Sequence, residues 1–272
     1  MITISIDPIA FTIGSIEVRW YGIFIALAIT VLILWMVREV RRGVNLSYDT
    51  VLMAAVVGIP SGVIFSKLLH VVDNIVIAKL HPEFVLTGRV IDYTQHPELI
   101  LGGGGLTAWG AILGAALGIW IYSRFSHFKF GYFADMVAPG IILAQAIGRV
   151  GCTINGCCYG AATSLPWGVV YTNSSCLAPL GVAIHPTQPY EVIWNLIVFG
   201  VLLKLRGKLK PDGSLFLLYL SLYSLWRLAT DFLRVGTPFL FGLHQAQVIA
   251  IIVLAIAIPL LAMRTRWAKK TG

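Results

Sequence analysis

The amino-acid sequence predicts an all-α, polytopic integral membrane protein. It has seven transmembrane helices, its amino terminus outside and its carboxyl terminus in the cytoplasm. Three observations predict this. Of 272 residues, 58% are hydrophobic and only 12% charged, against roughly 45–50% and about 25% in an average soluble domain. Mean hydropathy is +0.84. A soluble chain could not cover its surface with so few polar groups, which excludes a cytosolic enzyme, a disordered tail and a small disulfide scaffold. Second, the apolar residues gather into seven runs close to the roughly 20 residues that a span requires. Third, the basic residues divide unequally between alternate connections.

The first run, Val18–Val37, opens with Arg19-Trp20-Tyr21-Gly22, where Trp and Tyr suit a membrane interface. The second, Tyr48–Val72, has Gly58 and Gly62 on either side of Pro60. The third, Leu106–Tyr122, repeats glycine at 110, 114 and 118, a ridge of small residues suited to close helix contact. Tyr132–Ile147, Thr187–Leu203, Ser214–Leu233 and Gln245–Met263 complete the set. Connections on one face hold 13 Lys and Arg, among them Arg38, Arg41, Arg42, Arg124, Lys204 and Arg264, and the other face holds 5. Positive charge stays on the cytoplasmic side, which orients the chain. The same bias accounts for the net charge of +8 without a nucleic-acid partner. Residues 1–16 have neither a basic region nor a cleavage-like site, so no removable signal peptide is expected. No internal repeat is present, and residues 1–272 are expected to form a single membrane domain. Two outer-face connections are long, Asp73–Gly105 and Gly148–Pro186. Function concentrates in loops held by a rigid scaffold, so the site is expected to open outward.

Polar residues are costly in lipid and mark candidate sites. Gly148-Arg149-Val150-Gly151-Cys152-Thr153-Ile154-Asn155-Gly156-Cys157-Cys158-Tyr159-Gly160 follows the fourth run as a Gly-rich loop. Its glycines allow close backbone approach, Arg149 offers a planar donor fork to a phosphate, and Asn155 adds donors and an acceptor. His185-Pro186-Thr187-Gln188-Pro189-Tyr190-Glu191 enters the fifth run. Thr187 and Pro189 suit a capped helix start. Glu191, inside the span, requires a basic partner, either Arg149 or Arg227. Arg227 and Asp231 lie four apart on one helix face, with Arg234 beyond, and two arginines converging on the outer boundary suit an anionic ligand. Cys152, Cys157, Cys158 and Cys176 match no usual zinc spacing. No metal is expected, and the thiols are either plain or joined in a disulfide to Cys176.

Together these segments resemble the phosphatidylglycerol–prolipoprotein diacylglyceryl transferase family of bacterial membranes. The match covers Arg19–Gly22, the Gly-rich stretch Gly102–Gly114, the signature Gly148–Gly160, the His185–Glu191 run and Arg227. The resemblance implies transfer of the diacylglyceryl group of phosphatidylglycerol to the lipobox cysteine thiol of a prolipoprotein. Glycerol phosphate leaves and no metal or redox cofactor is required. It implies a multi-pass protein of the bacterial plasma (inner) membrane, acting at the outer leaflet on phosphatidylglycerol and prolipoprotein signal peptides. By the same resemblance Arg149 and Arg227 bind phosphate, and Tyr21 and His185 act beside them. Asn155, Gly156, Glu191, Gly104 and Trp109 contribute to substrate binding. Many members carry a histidine in the Gly-rich stretch, a candidate base for the thiol. This chain reads Thr107-Ala108-Trp109-Gly110-Ala111 there, so His185 becomes the substitute base. The signature also departs from other members at its three cysteines. Two further readings stand beside this one, a small-anion transporter and an inactive or divergent relative. The lack of a repeat and the position of the polar cluster near the outer boundary favour the enzyme over a transporter.

Overall fold

A computed structural model describes residues 1–267 except Ser15, Arg89, Gly103, Gly104, Leu106, His127 and Thr237. Gly104 therefore lies outside the described residues. In chain order, β1 (Ile2–Ile4), β2 (Ile9–Ile13) and β3 (Ile16–Arg19) precede α1 (Trp20–Arg41) and α2 (Tyr48–Leu80). Short α3 (Pro82–Leu86) and α4 (Leu99–Gly102) lead to α5 (Ala108–Phe125) and α6 (Phe130–Asn155). Then come β4 (Val169–Tyr171), β5 (Ala183–Ile184), α7 (Thr187–Leu205), β6 (Leu209–Lys210) and α8 (Ser214–Thr230), which runs into a 3-10 turn at Asp231–Leu233. Finally come α9 (Gln245–Arg264) and β7 (Arg266–Trp267).

Each apolar run corresponds to a long helix, so the protein is mostly helical. It is not all-α. Among the described residues β1, β4 and β5 form one sheet, with β1 parallel to β4 and β5 antiparallel. The pairs β2–β3 and β6–β7 are antiparallel ribbons. These strands are two to five residues long, too short for alternation to be visible beside the helical runs. Four helices, α1, α2, α6 and α9, are long and apolar enough to cross a membrane by length and composition. The others have less room: α8 has 17 residues, about 26 Å at 1.5 Å per residue, and α7 carries buried Gln188, Glu191 and Asn195.

The boundaries have local causes. The Ser47 side chain caps α2 by accepting from Thr50 N at 3.0 Å, and Thr107 caps α5 by accepting from Gly110 N at 3.2 Å. Such oxygens satisfy amides that the first turn leaves unpaired. At the start of α8 the cap comes from a neighbouring helix. Asp135 of α6 accepts from Gly213 N and Phe216 N, both at 2.8 Å. Where the first apolar run begins, Val18 and Arg19 belong to β3 and the helix starts at Trp20.

By its internal contacts the chain divides into two compact units. One holds residues 1–43, 131–235 and 253–272; the other holds 44–130 and 236–252. In the second unit the glycine ridge of α5 packs against α2. A Cβ on Gly114 would sit 2.3 Å from Phe65 Cβ and 2.6 Å from the Ser61 carbonyl oxygen, so only glycine permits this approach. Gly114→Leu is expected to push the two helices apart and destabilise the protein by at least about 1–3 kcal/mol. The denaturation midpoint in detergent reads this, and an unchanged midpoint would refute the close-packing account. Trp109 is buried in this unit, 3% exposed.

In the first unit α1 packs on α6, where Trp35 Nε1 donates to the Met136 carbonyl at 3.0 Å. Near the end of the same helix the fully buried Glu39 pairs with Arg206. A small core of Val169, Tyr171, Ala178 and Ile184 joins the strands to the segment after α6. Tyr171 ties the two, its hydroxyl donating to the Thr153 carbonyl at 2.7 Å. Burial, and then the neighbouring cysteines, hold that phenol well above its ordinary pKa, so it remains a neutral donor.

Candidate functional site

The signature Gly148–Gly160 departs from the expected loop. It is helical through Asn155, so Gly148, Arg149, Gly151 and Cys152 lie on the last turns of α6. Glycine disfavours helix by about 1 kcal/mol each, and tertiary packing outweighs it here. A Cβ on Gly151 would meet Phe24 Cβ at 2.8 Å and Tyr21 Cα at 3.3 Å, so α1 sits directly on this turn. Gly156 ends the helix at φ +70°. Its amide bonds the Thr153 carbonyl at 3.4 Å, and the Cys157 amide bonds the Cys152 carbonyl at 3.2 Å. This is a Schellman motif, in which the residue after the left-handed one swings back over the last helical turn.

Three helices bring charge to this place. Arg149 comes from the end of α6, Glu191 from the first turns of α7 and Arg227 from the end of α8. Arg149 Nε lies 2.9 Å from Glu191 Oε1, and Arg227 Nη1 lies 4.0 Å from Glu191 Oε2. Glu191, with a side chain 4% exposed, thus meets both of the arginines considered as its partner. Arg227 Nη2 pairs with Asp231 Oδ1 at 2.9 Å, and Arg234 Nη1 approaches the same oxygen at 3.9 Å. The network holds three guanidinium groups against two carboxylates and so carries surplus positive charge. Arg227 Nη1 is buried and makes no hydrogen bond within the described residues. Buried Tyr223 lies within electrostatic reach of Glu191, Arg227, Arg149 and Arg234.

Tyr21 stands at the start of α1, with its phenol in electrostatic reach of Arg149 and of Cys152, Cys157 and Cys158. His185 lies between β5 and α7, beside the end of the signature. Its backbone pairs with Gly160 and Ala161 at 3.1 and 3.0 Å, and its Nδ1 is buried without a hydrogen-bond partner. Asn155 is buried at the helix end, where its Oδ1 accepts from Arg19 Nη1 at 3.4 Å. Thr187 does not cap its own helix. Its hydroxyl donates to the Cys158 carbonyl at 2.8 Å, and Gln188 Nε2 donates to the Cys157 carbonyl at 2.7 Å. The His185–Glu191 run is thereby stitched to the signature.

All four cysteines are free thiols, so no disulfide reaches Cys176. Spacing did not suggest a cluster, yet the sulfurs of Cys152, Cys157 and Cys158 lie within 4.8 Å of one another. Arg149 Nη1 approaches Cys152 Sγ at 3.9 Å. Hydrogen bonds from Cys152 and then Cys157, with Arg149 and Arg234 nearby, hold the Cys158 thiol below its ordinary range against the opposing effect of burial. Asp231 and Arg234 stood in line with Arg227 in the sequence but outside the expected site. Their helical spacing of four and three residues was the signal for them.

The family model described as prolipoprotein diacylglyceryl transferase matches residues 8–263. Proteins named phosphatidylglycerol–prolipoprotein diacylglyceryl transferase are similar along most of the chain. That of Dehalococcoides mccartyi is 49% identical over 271 residues, 100% of this chain and 98% of its own length. That of Clostridioides difficile is 36% identical over 90% of each chain. That of Symbiobacterium thermophilum is 34% identical over 98% of this chain and 96% of its own. A match of this extent, running through the helix ends that hold Arg149, Glu191 and Arg227, shows that the chain belongs to the prolipoprotein diacylglyceryl transferase family.

Proposed function

We propose that this protein transfers the sn-1,2-diacylglyceryl group of phosphatidylglycerol to the thiol of a prolipoprotein's lipobox cysteine, releasing glycerol phosphate. The observation that carries this reading is the buried network of Arg149, Glu191 and Arg227 at one end of three packed helices. The reaction alkylates a thiolate at the carbon bearing a phosphate ester, so it needs a held phosphate and stabilisation of its growing charge. Arg149 and Arg227 supply donors for that phosphate, and Glu191 holds both guanidinium groups in place. Tyr21 orients substrate beside Arg149, Asn155 and Gly156 shape the helix end, and His185 takes the thiol proton. The family resemblance gives Gly104 and Trp109, from the Gly-rich stretch, a part in substrate binding as well.

The seven long helices act as seven spans of one membrane domain, with the amino terminus outside and the carboxyl terminus cytoplasmic, in the bacterial inner membrane. The charge bias among the connections supports this orientation. The network lies at the end of α6, the start of α7 and the end of α8, which this orientation turns toward the outer leaflet.

The test uses purified protein in vesicles containing phosphatidylglycerol, with a lipobox peptide analysed by mass spectrometry. A diacylglyceryl mass is expected on the peptide, absent with phosphatidylethanolamine vesicles and with a serine-for-cysteine peptide. An unmodified peptide, where the Clostridioides difficile relative modifies it, would overturn the reading.

A further inference from the structure

We propose that Cys152, Cys157 and Cys158 form a binding site for a thiophilic divalent cation, zinc being the fitting ion, whose open fourth position takes the lipobox thiol. The proposal rests on the transferase reading for the identity of that thiol. It also departs from the family expectation that no metal takes part.

The geometry arises from the end of α6. A Schellman motif places the third residue from the helix end against the second residue beyond it, a contact that is usually apolar. Here those two positions are Cys152 and Cys157, and Cys158 follows directly. The three sulfurs lie within 4.8 Å of one another. Tetrahedral zinc with bonds of about 2.3 Å sets its sulfurs roughly 3.8 Å apart, so small side-chain rotations close the site. The backbone is already held. Gln188 and Thr187 bond the Cys157 and Cys158 carbonyls. Cys158 sits at φ +63°, a conformation rare for residues with a side chain. Supporting bonds of this kind fix metal ligands in other sites.

Three protein ligands with one position open is the arrangement of catalytic rather than structural zinc. The acceptor in the proposed reaction is itself a thiol, and a thiol that coordinates zinc is deprotonated outright. Such a site would make the thiol proton easier for His185 to take, in a chain that lacks a histidine at Trp109. Arg149 stands 3.9 Å from Cys152 Sγ, which sets the phosphate-binding donors beside the sulfur nucleophile. On joining the three cysteines the lipobox thiol gives up its proton, which His185 receives as in the proposed reaction. Its electron pair forms the carbon–sulfur bond at the glyceryl carbon. The carbon–oxygen bond to phosphate breaks, and glycerol phosphate leaves with that bonding pair, its added negative charge facing Arg149.

The experiment uses the full chain in detergent, freed of metal by chelation and then given Zn(II) or Co(II) alone. The protein is expected to retain zinc through gel filtration. Co(II) is expected to give thiolate charge-transfer absorption and the ligand-field bands of a tetrahedral site. C157S and C158S should weaken zinc binding about 100-fold or more, the order of loss that even supporting residues of metal sites can reach. Cys158 is exposed, so C158S keeps the test valid if C157S fails to fold. A lipobox peptide should shift the cobalt bands, and its serine counterpart should not. Cobalt spectra identical in C158S and the unsubstituted protein would overturn the site, as would recovery of Cys157 in a disulfide. Undiminished transfer by metal-free protein would overturn the catalytic role while the transferase reading stands. Bands that respond to peptide in a protein giving no transfer would support the site while that reading falls.

Discussion

Replacing Arg149 by lysine is expected to lower the rate of diacylglyceryl transfer by about 10²–10³-fold, the usual loss when one donor to a developing negative charge is removed. Lysine keeps the charge but not the planar fork. Arg149 uses Nε on Glu191 at 2.9 Å while Nη1 reaches Cys152 Sγ at 3.9 Å, and an ammonium group cannot serve both directions from one rigid plane. Arg227→Ala is expected to lose as much, because it removes the buried Nη1 that forms no hydrogen bond among the described residues. Initial rates on a lipobox peptide across phosphatidylglycerol concentrations check both variants, with membrane insertion followed alongside. Normal turnover in the two variants would end the phosphate-site argument.

Glu191→Ala is expected to cost about 3–5 kcal/mol of stability, as breaking a buried ion pair from one side does. The carboxylate is 4% exposed and lies between Arg149 and Arg227. Without it two guanidinium groups face each other with little water to screen them. Glu191→Gln keeps the shape and removes the charge, and is expected to fall between. The midpoint of chemical denaturation in detergent measures the loss, and an unchanged midpoint in Glu191→Ala would show that the arginines find other partners. The two predictions separate by readout: the arginine variants act on rate, and the glutamate variant acts first on stability.

The helices were legible in the sequence because lipid demands long apolar runs, and Gly114 was legible because its spacing repeats with the helix. Other elements were hidden for definable reasons. β1 is three residues long and its partner β4 lies more than 160 residues away, a pairing that no local pattern encodes. Glycine content made Gly148–Asn155 look like a loop, whereas the approach of Tyr21 and Phe24 to Gly151 makes glycine useful inside the helix. Asp135 lies within the fourth apolar run, and its partners, the first amides of α8, come from 78 and 81 residues further along the chain. At the site, Glu191 and Arg227 stood out as charged residues within apolar runs, and Arg149 as the arginine of the Gly-rich stretch that follows the fourth run. Their pairing was foreseeable in kind, since a buried carboxylate needs a cation. That Glu191 would meet both arginines was not.

The cysteines show the division most clearly. By itself the sequence determined a membrane protein with seven long helices, a charge bias and a short set of costly polar residues, because composition and period act locally along the chain. Only the tertiary structure decided that α6, α7 and α8 present those residues at one end of the bundle. It alone decided that the Gly156 turn folds Cys157 and Cys158 back onto Cys152, within 4.8 Å. The physical reason is that linear spacing measures distance along the chain. A thiol cluster or a charge network depends on distance through space, which the helix end and its packed neighbours set.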